Sequence, residues 1–105
     1  MEGIDLSRAV INFNTLGDHA VIPSVPGKRI EVWQVFLYNV VAQNLEFRDN
    51  SDTLTGPLTN FPATSGFSLP YTGAPHFLLQ SGQALILRMS ANSQVSGFVN
   101  YLLKD

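Results

Sequence analysis

Apolar and polar residues alternate with a period of two through most of the chain, and Gly, Pro, Asn, Asp or Ser clusters interrupt the alternation at short intervals. The longest unbroken stretch runs from Lys28 to Asn39. Side chains alternate along an extended strand, so Ile30, Val32, Phe36 and Tyr38 fall on one side with Gln34, and Trp33, Val35 and Leu37 fall on the other. Large apolar groups on both sides predict a central strand whose second face needs a cover, either from this chain or from another copy.

Shorter stretches follow the same rule. Arg8–Asn14, His19–Ile22, Leu45–Arg48, Gly66–Leu69, Ala84–Ser90 and Gln94–Lys104 read as strands, Thr53–Thr59 as a strand interrupted by Gly56-Pro57, and His76–Leu79 as a run leading into the Gln80–Gln83 turn. Leu85, Leu87 and Met89 oppose Ala84, Ile86 and Arg88, and Val95, Gly97, Val99, Tyr101 and Leu103 oppose Phe98 and Leu102. Between them, Asn14–Asp18, Pro26-Gly27, Asp49–Asp52 and Ala91–Ser93 are turns whose side chains bond local backbone or supply the needed dihedrals. No apolar spacing of three and four persists long enough for a helix. Eight or nine short strands with polar turns predict an all-β, single-domain antiparallel β-sandwich of jelly-roll type. Residues 1–7, with two acids and few apolar anchors, read as an N-terminal arm, and 8–105 as the sandwich.

At 105 residues the chain has room for one core. Charged residues make up 13 % of it, about half the usual share. So little charge predicts that like subunits or a larger assembly cover part of the surface. Net charge is −2 and Lys28-Arg29 is the sole basic pair, which argues against nucleic-acid binding. Cysteine is absent, and no apolar run approaches the length of a membrane span. The opening Met-Glu-Gly-Ile-Asp lacks the features of a signal peptide, so folding in a cytoplasm is expected.

Chemistry-bearing groups are scattered. His19 and His76 have no second ligand at i+2 or i+4, so no metal site is expected of them. Asp49-Asn50-Ser51-Asp52 supplies oxygens but lacks the Gly and bidentate Glu of a calcium loop, and reads as a turn. Glu31 and Glu46 have basic neighbours that suit surface pairing, and neither a nucleophile motif nor a phosphate-cradling loop occurs. An enzyme is not expected, nor a cofactor. Among the aromatics Trp33, Tyr38, Tyr71 and Tyr101, a sugar-stacking platform on Trp33 and Tyr71 is one reading; core or subunit interface is the other.

The succession Gly27–Val32, Leu45–Arg48, Leu54–Leu58, a Gly- and Pro-rich span into Phe77, Ser81–Leu87 and Val95–Tyr101 resembles a group of small tailed-bacteriophage virion proteins. The resemblance implies a β-sandwich that decorates, or cements, the capsid surface, commonly as a homotrimer seated on the major capsid protein after assembly in the host cytoplasm. A carbohydrate-binding or structural module of a tail or fibre is the alternative it leaves open. The two-sided strands then predict a self-interface that includes Trp33, Val35, Leu37, Leu85, Leu87, Phe98 and Leu102.

Overall fold

Each alternating stretch forms a strand, because only mutual burial of its apolar side against other strands offsets the cost of ordering it. The computed structural model describes residues 5–105. In chain order the strands are β1 (Ser7–Phe13), β2 (Gly17–Ile22), β3 (Arg29–Asn39), β4 (Gln43–Arg48), β5 (Leu58–Phe61), β6 (Ser65–Leu69), β7 (Phe77–Leu78), β8 (Leu85–Met89) and β9 (Val95–Lys104). Met1–Ile4 of the expected arm lie outside the described residues, and Ser7, assigned to that arm, is already paired with Tyr101. The interrupted Thr53–Thr59 stretch becomes strand only after Pro57, where the missing N–H no longer breaks the ladder.

One sheet runs β1-β9-β3-β6, with β7 also on β3, and the other runs β2-β8-β4-β5. The pairings are nested: β1 with β9, β2 with β8, β3 with β6, β4 with β5. That is a long antiparallel ribbon rolled so that its halves face each other, the jelly-roll topology. Ile11, Ile30, Val32, Val35, Leu37, Val95 and Val99 from the first sheet meet Val21, Ile22, Leu45, Phe47, Leu85, Leu87 and Met89 from the second. All are buried.

The second apolar face of β3 is not the one strict alternation predicts, because Val35 and Leu37 do not lie on it. Val32 pairs with Tyr101 and Gln34 with Asn100, so Trp33 is an extra residue with no partner on β9, a β-bulge. One inserted residue reverses the phase of the alternation. Ile30 and Val32 before the bulge therefore share the core with Val35 and Leu37 after it, while Phe36 and Tyr38 turn outward.

β6 and β7 are two halves of one edge strand on β3, and the chain leaves that edge between them, from Pro70 to His76, level with the bulge. Leu79 and Gly82 then continue the edge by donating backbone hydrogen bonds to Ile30 (2.9 Å) and Lys28 (2.9 Å).

Candidate interaction surface

The outer side of the first sheet is the least ordinary surface of the molecule. Register places Val10, Phe98, Phe36 and Ser68 in one cross-strand row, and Asn12, Ser96, Tyr38 and Gly66 in the next. Val10 is 65 % exposed, Phe36 40 % and Tyr38 39 %, with Phe98 half-buried between Val10 and Phe36. The Phe36 and Phe98 rings are tilted neighbours with centroids 6.0 Å apart, a geometry favoured by aromatic quadrupoles.

Polar groups flank this row without breaking it. The Arg8 guanidinium lies 4.5 Å from the Phe98 ring centroid, a cation–π contact, and donates from Nε to Asn100 Oδ1 (3.3 Å). Asn100 Nδ2 donates to Gln34 Oε1 (2.8 Å), continuing the polar row across the sheet. Beyond it lie Leu102, Glu31 and Leu78, in register with one another.

Trp33 sits on this same outer side but does not present a surface. Its Nε1 donates to Glu31 Oε1 (3.2 Å), and Tyr71 from the Pro70–His76 excursion stacks on it with centroids 5.8 Å apart and planes 21° from parallel. His76 Nε2 bonds the Pro70 carbonyl (2.7 Å) and closes the excursion. Trp33 is thereby 7 % exposed and Tyr71 50 %. The structure does bring the two residues of the expected sugar platform together, but one on top of the other rather than side by side.

Of the residues expected at a self-interface, Trp33, Val35, Leu37, Leu85 and Leu87 are buried within the single chain. Their burial counts against an interface built on them. The reason is the bulge for Val35 and Leu37, the excursion for Trp33, and for Leu85 and Leu87 the inward face of β8. Phe98 and Leu102 are half-buried on the outer side.

The outer side of the second sheet has the opposite character. Asp18, Arg88 and Glu46 form a cross-strand row of alternating charge. Arg88 donates to both Asp18 oxygens (2.7 and 3.1 Å), and Arg48 approaches Glu46 at 3.6 Å. The hydrogen bond from Arg88 holds the Asp18 carboxyl below its ordinary value, against a smaller upward push from burial. Asp18 and Arg88 are this side's solvent-facing members, whereas Glu46 and Arg48 are mostly covered.

The remaining candidates are structural. His19 stacks on Phe13 with centroids 4.4 Å apart and bonds the Thr15 carbonyl (2.6 Å), bracing the β1–β2 turn. Asp49 Oδ1 accepts from the Ser51 and Asp52 amides (2.8 and 2.6 Å), which closes the turn after β4. Among the described residues there is no pocket, and no group of three His, Cys, Asp or Glu placed to share a metal ion.

Compared with known family models, curated proteins and solved structures, the chain matches none. Strict alternation does not single out Val10, Phe36 and Tyr38; it puts Phe36 and Tyr38 on the side of Ile30 and Val32. The signal that finds them is the three-residue interval between Val32 and Val35, where the apolar period of two slips.

Proposed function

We propose that this chain is a non-catalytic structural subunit that self-associates through the outer side of its first sheet, and that it serves as a homotrimeric decoration protein on a bacteriophage capsid. The observation that carries the self-association is the row Val10–Phe98–Phe36 with Tyr38, an exposed apolar strip on one face of a sandwich whose opposite face is a charge ladder. Apolar side chains exposed in a cross-strand row gain by burial in a partner, whereas the half-exposed Asp18 and Arg88 gain little from leaving water. The jelly-roll topology suits this reading but hosts many functions, so the virion role rests on the sequence resemblance.

A decoration protein acts by linkage: it binds only the mature lattice and so raises that state's stability by mass action. Analytical ultracentrifugation at micromolar concentration tests the self-association. A trimer is expected, with Phe36→Glu sedimenting as a folded monomer. A stable wild-type monomer overturns the reading.

The Trp33–Tyr71 stack supports a second reading, a glycan-binding module that uses the exposed face of Tyr71. A glycan array with a Tyr71→Ala control decides it, and the absence of any Tyr71-dependent signal removes it.

A further inference from the structure

Two open sheets leave four edges, here β1 and β6–β7 in the first sheet and β2 and β5 in the second. An edge strand presents backbone N–H and C=O groups with no partner on one side, and proteins blunt such edges with short strands, Pro, bulges or charge. Three of the four are blunted. The β6–β7 edge is cut by the Pro70–His76 excursion into pieces of five and two residues. β5 is four residues long, lies between Pro57 and Pro62, and carries Asn60 at φ 55°. β2 slips register between Ala20 and Ile22 and runs into Pro23.

β1 has none of these devices. Its seven residues pair with β9 in unbroken register, from Ser7 opposite Tyr101 to Phe13 opposite Val95, and include neither Pro nor Gly. Among the described residues, no hydrogen bond reaches its backbone from the side away from β9. Its one charge does not guard the edge, because the Arg8 guanidinium leans back over β9, 4.5 Å from the Phe98 ring centroid and bonded to Asn100 (3.3 Å). Asn12 is drawn the same way, accepting from Gln94 (2.8 Å). Val10, in the middle of the strand, is left 65 % exposed.

A bare edge specifies its partner more closely than an apolar face does. Donors and acceptors spaced every second residue along an extended line are matched in full by another extended strand. The sequence of β1 is complementary to itself in that role. When two copies pair antiparallel about a two-fold axis normal to the sheet, residues directly opposite share a face, so the pairing centres on one residue. Val10 is the midpoint of Ser7–Phe13, and centring there gives all seven residues a partner: Val10 meets its own copy, Arg8 faces Asn12, Ala9 faces Ile11 and Ser7 faces Phe13. The two exposed valines then cover each other. Ala9 and Ile11 extend the core side of the sheet, where Ile11 is already buried. The two Arg8 groups stand four residues apart along the strands, roughly 13 Å, so no like charges are opposed.

We infer that β1 pairs antiparallel with β1 of a second copy, centred on Val10, and so joins two first sheets into one. This contact goes beyond the outer-face association and does not depend on it, since an edge backbone makes it rather than a row of rings. A seven-residue ladder spans roughly 23 Å and buries less than the roughly 1,200 Å² of a stable interface. It therefore forms at higher concentration than the outer-face contact does.

The test uses Phe36→Glu to remove the outer-face contact, with Tyr38→Glu as a second such background and circular dichroism as the check of fold. Sedimentation from micromolar to about millimolar concentration should take either protein from monomer to dimer. Over the same range every second amide from Ser7 to Phe13, the set pointing away from β9, should slow in hydrogen exchange, and the pattern can be read in wild type as well. Val10→Lys and Val10→Glu, each added singly, put like charges directly across the axis and should weaken dimerisation by roughly tenfold or more. Mixed one to one, the two variants should recover it, because pairing centred on residue 10 sets their opposite charges against each other. A protein that stays monomeric at millimolar concentration in both backgrounds overturns the edge pairing. So does a dimer whose β1 amides stay fast, a single Val10 variant that dimerises undiminished, or a mixture that fails to recover. Failure of the outer-face reading looks different: wild type is then monomeric at micromolar concentration but still dimerises through β1 when concentrated.

Discussion

Gly97 on β9 lies so close to Phe36 on β3 that a Cβ on the glycine would overlap the Phe36 carbonyl, and its φ of 149° is one that L side chains rarely adopt. The close approach lets β9 pair with β3 from Asn39 to Arg29 along the middle of the first sheet. Gly97→Ala is expected to destabilise the fold by about 3 kcal/mol or more, from clash and backbone strain together. Gly66, opposite Tyr38 at the sheet edge, is the control. A Cβ there meets only ordinary contacts at 3.5 and 3.8 Å, so Gly66→Ala should lie within about 1 kcal/mol of wild type. Urea denaturation of the two variants checks the contrast, and equal midpoints would refute it.

The stack of Tyr71 on Trp33 makes the single tryptophan a reporter of the Pro70–His76 excursion. Tyr71→Ala removes the cover from an indole that is now 7 % exposed. Emission should shift to longer wavelength and acrylamide quenching should rise. The stability loss should be about 0.5–1.5 kcal/mol, the worth of an aromatic pair. Unchanged quenching would mean that other groups in the excursion shield Trp33.

Most of the strand content was legible in the sequence, because strands half-buried in a sandwich must alternate and their turns must carry Gly, Pro, Asn or Asp. The run from Leu45 to Arg48 and the strand Gly66–Leu69 keep nearly their expected bounds. The facing of β3 was legible only in part. A strict period of two puts Val35 and Leu37 opposite Ile30 and Val32, and the bulge that unites them arises from pairing with β9, a contact remote in sequence. That one slip puts Val35 and Leu37, two members of the expected self-interface, in the core. The pairing of Trp33 with Tyr71 was anticipated as a chemical possibility, but its stacked geometry depends on where the β6–β7 edge opens, which no local pattern encodes.

The Asp18–Arg88 pair predicts a weak acid dependence. The folded-state carboxyl is held below the ordinary Asp value of 3.8 by the Arg88 hydrogen bond. A depressed carboxylate contributes stability that is fully present above the ordinary value and is lost as pH falls through the lowered one. Both side chains are nearly half exposed, so solvent and salt screen the contribution. Asp18→Asn should be slightly less stable than wild type at neutral pH and should approach wild type only as pH falls well below 3.8. The gap should narrow in high salt. Thermal melts of both proteins across that range measure it, and a gap that widens on acidification would reverse the assignment.

Phe36 and Leu37 are adjacent on β3 but face opposite ways, and the proposed assembly makes their substitutions separable. Leu37 is fully buried in the sandwich core, so Leu37→Ala leaves a cavity worth about 2–5 kcal/mol and lowers stability at every protein concentration. Phe36 is 40 % exposed beside Phe98, so Phe36→Ala costs the isolated subunit little. Its cost falls on association. An oligomer that binds only folded chains raises its melting temperature with concentration. Wild type and Leu37→Ala should therefore both melt at higher temperature when concentrated, from different baselines, while Phe36→Ala should lose most of that dependence. Calorimetry over a hundredfold concentration range reads all three proteins. A concentration-independent wild type would remove the outer face as a self-interface and leave it as solvent-exposed surface.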